Sequence, residues 1–293
     1  MTPQRIFIFG LGYVGQHLAH ALYRQGWHIT GTTRRPDILR EKVPADWDIL
    51  AFNDDMAVDN LAAYLDKATH VITTISAIGG YDPVLRHHRQ QIEAYKGWVG
   101  YVSATSVYPD QKDGFVDEHV APDPVTKRGK ARLMAEQGWQ KACQAEILRV
   151  AGIYGPKRNA IRALLDGTAR IIEKDGQLSN RIHQTDITAI IMAAMAQPQA
   201  SRVINLCDDE PAAQGDVVRF AASLLDMAPP QPVPFEEADL TPMARSFYVS
   251  KRKLKSSIVG PELGVRLRYP TYREGLKALY DHELSAAKEP PKP

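Results

Sequence analysis

The chain has 293 residues, of which 44% are hydrophobic and 24% are charged, values typical of a soluble globular protein with one large domain or two interleaved lobes. Its 36 Lys and Arg residues nearly balance 34 Asp and Glu residues, and the net charge of +2 argues against binding to nucleic acid or to an acidic membrane surface. The two cysteines, Cys143 and Cys207, match no metal-ligand spacing, and no segment has the pattern of a signal peptide or the length of a membrane span. We therefore expect a cytoplasmic protein with reduced thiols and no metal.

Short apolar runs alternate with longer amphipathic runs through the first half of the chain. The segments 82–97 and 125–142 place apolar residues at mostly helical spacing, and they lie between runs that are typical of strands. The predicted strands are 5–9, 28–32, 48–52, 70–75, 98–103 and 146–150. Such alternation predicts an α/β fold with a doubly wound, Rossmann-type parallel sheet.

A glycine-rich turn follows the first predicted strand. Gly10, Gly12 and Gly15 form a G-x-G-x-x-G motif directly before an amphipathic helix. The chemistry needs glycines there because the turn is tight, the backbone approaches a pyrophosphate closely and the helix packs on the strand. Free N–H groups at the helix start bind the phosphates, so we predict a dinucleotide site that includes Tyr13 and Val14. The alternative is a glycine-rich turn that binds no ligand.

The position that selects between NAD and NADP carries no acid. An Asp or Glu about 20 residues beyond the glycines usually binds the free 2′-hydroxyl of the adenosine ribose, but this neighbourhood holds Thr33, Arg34 and Arg35. Hydroxyl and guanidinium groups suit a 2′-phosphate, so the sequence favours NADP over NAD. Ile75 and Ser76, at the end of the fourth predicted strand, are further predicted cofactor contacts. The alternative is a solvated arginine pair at the end of a strand.

Three later segments carry a family resemblance: YVSATSVYPDQKDGFVDE at 101–118, RVAGIYGP at 149–156 and RIHQTDI at 181–187. They resemble, in this order, the fifth strand, the sixth strand and the histidine-and-aspartate segment of the extended short-chain dehydrogenase/reductases, the NAD-dependent epimerase/dehydratase family. The resemblance spans roughly 5–279. It implies a dinucleotide-binding Rossmann domain with a smaller C-terminal substrate lobe.

The domain boundaries follow from a change of pattern after about residue 155, where Gly and Pro become more scattered. We assign 1–155 to the dinucleotide-binding Rossmann domain and 156–285 to the substrate lobe. The two are interleaved because 201–207 has the pattern of one more core strand. The polar, proline-rich residues 286–293 are expected to form a disordered tail.

The family's catalytic pattern is altered in this chain. The resemblance implies a Tyr-x-x-x-Lys pair and a Ser or Thr from the fifth strand, but Arg128, Arg132 and Ala104 occupy these positions. Arginine stays protonated, so Arg128 cannot be the general base that a phenolate would be, although it is suited to hold a substrate anion or an alkoxide. Arg132 is a second catalytic candidate. The single Tyr-x-x-x-Lys of the chain, at 108–112, has a proline after its tyrosine, and we interpret it as a chance match.

Hydroxyl groups close to the ends of the fifth and sixth strands are candidates to replace the missing groups, because the carboxyl ends of parallel strands face the ligand crevice. They belong to Thr105, Ser106, Tyr108 and Tyr154. For the two tyrosines, passive packing is the alternative. The resemblance implies that His183 contacts the substrate or orders Asp186, and a structural hydrogen-bonding role is the alternative.

These features predict an NADP-binding, epimerase/dehydratase-like oxidoreductase that acts on a small molecule with a hydroxyl or carbonyl group. The alternative is a catalytically degenerate NADP(H)-binding sensor or regulatory protein, which the altered tyrosine and lysine positions favour. The resemblance is compatible with a homodimer, and we expect no nucleic-acid or membrane partner. A basic stretch at 245–257 either caps the ligand pocket through Arg245 and Tyr248 or lies on the surface.

Overall fold

The computed structural model describes residues 4–77, 79–111, 114–249 and 251–288. The chain divides into two compact units, each assembled from segments that are distant in sequence. Unit 1 contains Met1–Val107, Pro122–Arg149 and Thr188–Ile204, and unit 2 contains Tyr108–Ala121, Val150–Ile187 and Asn205–Pro293.

This division differs from the predicted boundary at residue 155, since it falls after Arg149 and also assigns 108–121 to unit 2. Long-range hydrogen bonds within unit 2 explain the second difference. Val116 N donates to Lys253 O at 2.8 Å, and Asn205 N donates to Glu118 Oε1 at 2.8 Å. No local pattern in the sequence predicts pairings between residues so far apart.

Strands and helices alternate through the first half of the chain, as the sequence predicts. They are β1 (Arg5–Phe9), α1 (Tyr13–Tyr23), β2 (His28–Thr33), α2 (Pro36–Arg40), β3 (Asp48–Ala51), α3 (Leu61–Leu65), β4 (His70–Thr73), α4 (Pro83–Ala94), β5 (Trp98–Ala104), α5 (Lys127–Cys143) and β6 (Glu146–Val150). The second half contains β7 (Gly152–Tyr154), α6 (Ala160–Leu165), β8 (Ile171–Glu173), β9 (Arg181–His183), α7 (Gln184–Ala196), β10 (Val203–Leu206), α8 (Gln214–Leu224), β11 (Pro232–Pro234), α9 (Pro242–Ser246) and α10 (Tyr272–Lys288).

Seven strands form one parallel sheet in the order β10-β6-β5-β4-β1-β2-β3. β1 pairs in parallel with both β2 and β4. β2 also pairs in parallel with β3, and β4 pairs in parallel with β5. Hydrogen bonds from Ile147 N to Arg202 O and from Ala151 N to Leu206 O advance by the same number of residues on both strands, so β6 and β10 are also parallel. The predicted doubly wound Rossmann-type sheet is confirmed. The strand order reverses between β1 and β4, and ligands of such sheets bind at the carboxyl ends of the strands at this point.

The core of unit 1 explains why its strands read as continuous apolar runs. Residues 6–9 of β1 are at most 1% exposed, because helices cover both faces of a doubly wound sheet. The rings of Phe7 and Phe9 lie 4.7 Å apart, and on α5 the fully buried Trp139 stacks on Tyr101 of β5 with ring centroids 6.0 Å apart. This packing fixes α5 against the sheet.

Unit 2 combines helices with short parallel strand pairs, in which β7 pairs with β9 and β8 pairs with β11. α6, α8 and α10 contribute Ile161, Ala221 and Leu276 to a second hydrophobic core, and each of these side chains is at most 1% exposed. This core supports the walls of the cavity described below.

Several element ends differ from the sequence prediction, and β2, β3 and β5 differ by one residue each. β4 ends at Thr73 rather than at 75, because residues 74 and 75 turn to pack against the glycine motif. Residues 286–288 continue α10 instead of starting a disordered tail. The remainder of that predicted tail, 289–293, lies outside the described residues.

Candidate functional site

The glycine turn after β1 is held in a conformation that requires its first glycine. Gly10 has φ +93°, its N–H donates to Thr32 Oγ1 at 3.0 Å, and its carbonyl accepts from Thr74 Oγ1 at 2.7 Å. A Cβ at this position would lie 2.8 Å from the side chain of Ile75. Backbone conformation and neighbouring atoms therefore both demand glycine at this position.

The other two glycines of the motif differ in what surrounds them. A Cβ at Gly15 would lie 2.2 Å from Gly10 O, so this glycine lets α1 pack on the turn. A Cβ at Gly12 would meet no atom of the described chain within 4 Å beyond its chain neighbours. No side chain caps α1 at Gly12, and the first turn of the helix contains no acid. The predicted Tyr13 and Val14 belong to this first turn, whose amides form the positive end of the helix dipole.

The corner after β2 carries two exposed guanidinium groups. Thr33 ends the strand and its Oγ1 accepts from Arg35 N at 3.3 Å, and neither Arg34 nor Arg35 forms an ion pair with a described residue. The nearest acid along the chain, Asp37, is paired with Arg40 at 3.0 Å. An anion at this corner would therefore meet two guanidinium groups that form no ion pair with a described residue.

Arg132, which the sequence analysis aligned with the lysine of the Tyr-x-x-x-Lys pair, bridges the carboxyl-terminal half of β5 and the segment that follows β4. Its Nη2 donates to Ser76 Oγ at 2.8 Å, and its Nη1 donates to Val102 O at 2.9 Å and to Tyr101 OH at 3.3 Å. The structure thus brings the predicted residues Arg132 and Ser76 together beyond β4. Arg128 is exposed one helical turn earlier on α5, where desolvation and the charge of Arg132 lower its pKa, although an arginine remains charged at neutral pH.

Thr105 and Ser106 form a short 3₁₀ turn directly after β5. The Ser106 carbonyl lies so close to α5 that a Cβ at Gly129 would be 2.3 Å from it. The buried Ser106 Oγ has no hydrogen-bond partner among the described residues. Its hydroxyl is therefore a group that a ligand could satisfy.

A buried ion pair that the sequence analysis did not identify fixes α5 against the sheet. Arg149 Nη2 on β6 donates to Glu136 Oε2 at 2.7 Å, and Ser103 Oγ on β5 donates to Glu136 Oε1 at 2.5 Å. Glu136 is 2% and Arg149 is 4% exposed. An arginine inside an apolar strand was the available signal, because a buried charge requires a partner. This network sets the position of Arg128 and Arg132 on the same helix.

The structure does not support a catalytic hydroxyl at Tyr108. This side chain is fully buried in unit 2, and its hydroxyl donates to Asn205 Oδ1 at 2.8 Å. The backbone of the same residue accepts from Arg252 Nη1 at 2.9 Å. We assign Tyr108 a structural role, and Lys112, the other half of its Tyr-x-x-x-Lys match, lies outside the described residues.

Tyr154 and His183 come together in unit 2, on the paired strands β7 and β9. Their rings are 5.1 Å apart, and Tyr269 lies 4.4 Å from the imidazole on another side. His183 Nδ1 accepts from Thr185 N at 3.2 Å, and Tyr154 OH donates to Thr271 O at 3.4 Å. Burial raises the pKa of Tyr154, which disfavours a phenolate.

Asp186, which the resemblance linked to His183, has a structural contact of its own. Its carboxylate accepts from the backbone N–H groups of Arg268 at 2.7 Å and Tyr269 at 3.2 Å. The carboxylate therefore positions the segment that carries Tyr269 against the imidazole.

Unit 2 contains an open cavity of about 610 Å³. Its wall includes Tyr154, Arg181 and Tyr272, together with Tyr248 from the basic stretch at 245–257. The volume lies within the range of small-molecule sites, and the lining combines rings with a few polar groups.

The described residues show two further features of the chain. None of their helices is long and apolar enough to cross a membrane. They also contain no group of three or more His, Cys, Asp or Glu side chains arranged to hold a metal ion.

Comparisons with known proteins identify the family. The model of the family described as the RmlD substrate binding domain matches residues 4–282. The chain therefore belongs to that family, within the NAD-dependent epimerase/dehydratase group of extended short-chain dehydrogenase/reductases that the sequence motifs predicted.

Three relatives illustrate the similarity. A structure of a functionally unknown conserved protein from Silicibacter pomeroyi DSS is 41% identical with a TM-score of 0.88, over 95% of this chain and 99% of that one. Protein YeeZ of Escherichia coli strain K12 is 28% identical over 91% of this chain and 97% of its own length. UDP-glucuronic acid 4-epimerase from Bacillus cereus, at 20% identity and a TM-score of 0.72 over 97% of this chain and 100% of that one, shares the fold.

Proposed function

We propose that the protein is a nicotinamide-dinucleotide-dependent oxidoreductase of the epimerase/dehydratase type, acting on a small molecule with a hydroxyl or carbonyl group. The main support for this proposal is that the three glycines of the motif have different surroundings. Internal packing accounts for Gly10 and Gly15, whereas Gly12 faces space that no described atom fills, at the uncapped start of α1. A glycine that the protein's own packing does not require is expected where a ligand approaches the backbone.

The residues present fit a dinucleotide. The first turn of α1 would hold the pyrophosphate, and Ile75 and Ser76 would border the dinucleotide beyond β4. When bound, the dinucleotide supplies a hydride donor or acceptor. Of the chain's own groups, Arg132 orients Ser76 through its hydrogen bond, and the Ser106 hydroxyl is a donor for a substrate oxygen.

For the form of the cofactor we propose NADP. Thr33, Arg34 and Arg35 offer a hydroxyl and two unpaired guanidinium groups, which suit a 2′-phosphate. The Bacillus cereus epimerase structure contains NAD, which favours NAD over NADP for this chain, but this argument depends on similarity of fold alone. The charge at this corner is a property of this chain, so we give it more weight.

The proposal is tested by replacing Arg34 and Arg35 with alanine and titrating the protein with NADPH and NADH. We expect NADPH affinity to fall by about tenfold or more, because charge-assisted hydrogen bonds to the phosphate are lost, and NADH affinity to change little. Arg24→Ala is a matched control, since Arg24 is an exposed arginine at the opposite end of α1. Equal losses for the two dinucleotides would contradict the NADP preference.

A dinucleotide sensor is the second candidate. It is favoured by the buried, hydrogen-bonded state of Tyr108 and by the arginines at the family's tyrosine and lysine positions, which remain charged at neutral pH. Both candidates bind the dinucleotide, so binding does not separate them. Hydride transfer to or from a panel of carbonyl and hydroxyl metabolites, followed at the NADPH absorbance, supports the enzyme, and binding without transfer supports the sensor.

A further inference from the structure

The glycine turn after β1 is held from both sides by threonine side chains. On one side, Thr32 Oγ1 of β2 accepts from Gly10 N at 3.0 Å, and Thr32 O accepts from Leu11 N at 2.7 Å. On the other side, Thr74 Oγ1 donates to Gly10 O at 2.7 Å. A Cβ at Gly15 would lie 2.2 Å from the same carbonyl oxygen, so Gly10 O is confined between Thr74 and α1. These contacts fix the orientation of the peptide group that opens the glycine motif.

Thr74 belongs to a short segment, residues 74–76, that connects the glycine turn with α5. At the end of this segment, Arg132 Nη2 donates to Ser76 Oγ at 2.8 Å. In its middle, the isoleucine packs beside the glycine motif, since a Cβ at Gly10 would lie 2.8 Å from the isoleucine side chain. All of these residues belong to unit 1. The position of the segment therefore depends on Arg132 at one end and is transmitted to the turn at the other.

The remaining contacts of Arg132 direct its guanidinium group at this segment. Nη1 donates to Val102 O at 2.9 Å and to Tyr101 OH at 3.3 Å. Tyr101 is fully buried and stacks on Trp139 of α5, so it is a rigid partner. One nitrogen of the guanidinium is thus fixed on β5 while the other donates to Ser76. A planar guanidinium makes both contacts at once, whereas the ammonium of a lysine is a single point charge.

The usual task of this position is missing in the chain. In a Tyr-x-x-x-Lys pair, the ammonium favours the phenolate of the neighbouring tyrosine. Arg128 stands at the tyrosine position, so Arg132 has no phenolate to support there. Its described hydrogen bonds go instead to the two strand ends and to the segment that reaches the glycine turn.

We propose that Arg132 is a positioning residue for the dinucleotide, which acts through the 74–76 segment and Thr74 on the glycine turn that receives the pyrophosphate. The inference rests on the proposed function, because it takes the ligand of this turn to be a dinucleotide. Hydrogen bonds from backbone N–H groups to phosphate oxygens weaken steeply when their geometry is disturbed. Loss of Arg132 or of the Thr74 hydroxyl therefore weakens binding of the pyrophosphate itself, whether or not a nicotinamide is attached to it.

Titration calorimetry of the full chain with two ligand pairs tests the proposal: NADPH with 2′-phospho-ADP-ribose, and NADH with ADP-ribose. In each pair the second ligand keeps the pyrophosphate and lacks the nicotinamide. We expect Arg132→Gln and Thr74→Val each to weaken both members of the tighter-binding pair by about fivefold or more, and by similar factors. Thr74→Ser keeps the hydroxyl and should bind as the wild type does. Lys130→Gln is the matched control, because Lys130 is an exposed cation of α5 that lies on another side of the helix from Arg132.

The double variant Thr74→Val/Arg132→Gln shows whether the two residues act through one segment. If they do, its loss of affinity should be well below the product of the two single losses. Losses that multiply would overturn the proposal. A loss in Arg132→Gln that is confined to the ligands with a nicotinamide would also overturn it, because Arg132 would then act at the nicotinamide end.

Hydrogen exchange of the unliganded chain separates this inference from the proposed function. The N–H groups of Gly10 and Leu11 should exchange faster in Thr74→Val and Arg132→Gln than in the wild type or in Lys130→Gln. Unchanged exchange in both variants contradicts the connection between Arg132 and the turn. A wild-type chain that binds none of the four ligands refutes the proposed function, and faster exchange in the same two variants would then leave the connection standing.

Discussion

Gly12→Ala is expected to weaken dinucleotide binding without unfolding the protein. The added Cβ meets no described atom within 4 Å beyond its chain neighbours, and the backbone at φ −86° and ψ −156° is open to alanine. Two small effects on stability oppose each other. Alanine is a poorer helix N-cap than glycine, whereas restricting the unfolded chain stabilises the protein by about 0.4–1 kcal/mol. The free energy of unfolding should therefore change by less than about 1 kcal/mol.

The effect on binding should be larger. The new methyl group occupies the space through which a pyrophosphate would approach the backbone, and overpacking a close contact costs about 1–3 kcal/mol. This cost corresponds to a loss of about 5- to 150-fold in affinity. The assay is a fluorescence titration with NADPH and NADH, combined with urea denaturation of the same variant.

Two other glycines provide controls for this experiment. Gly260→Ala also adds a Cβ in open space, but in unit 2, and should change neither property. Gly15→Ala would place its Cβ 2.2 Å from Gly10 O and should destabilise the fold. Wild-type affinity in Gly12→Ala would refute the proposed approach of the dinucleotide, and a stability loss as large as that of Gly15→Ala would show that packing requires Gly12.

Three further predictions concern stability. Burial raises the pKa of Asp208 from 3.8 to about 7, so between these pH values the folded protein retains a proton that the unfolded chain releases. The free energy of unfolding should therefore fall as the pH rises through this range. Asp208→Asn should flatten this part of the pH profile measured by urea denaturation, and an unchanged slope would contradict the raised pKa. Glu136→Gln should lower the free energy of unfolding by about 3–5 kcal/mol, because it leaves the buried Arg149 without a counter-charge. Glu93→Gln, in an exposed ion pair with Arg89, should lower it by less than about 1 kcal/mol. Similar losses in the two variants would argue against the buried network. Tyr108→Phe should lower the free energy of unfolding by about 1–3 kcal/mol, because the Asn205 side chain loses a buried hydrogen-bond donor. It should leave the affinity for the dinucleotide unchanged. A variant that loses hydride transfer at unchanged stability would instead indicate a catalytic role for Tyr108.

The sequence by itself determined the sheet and the dinucleotide motif, because both depend on local chemistry. Strands buried on both faces must be continuous apolar runs, and the predicted 5–9 and 146–150 coincide with β1 and β6. Likewise, the left-handed φ of Gly10 and the contact of Gly15 with its carbonyl are properties of adjacent residues. A pattern a few residues long is sufficient to specify such features.

Only the tertiary structure decided which polar groups are available. Tyr108 follows β5 as predicted, yet its hydroxyl donates a hydrogen bond to Asn205, which is 97 positions away along the chain. The partners of Glu136 come from two other strands, and the cavity draws its arginines and rings from residues 152–276. Burial and charge pairing depend on which distant segments pack together, and the spacing of residues along the chain contains no record of that packing.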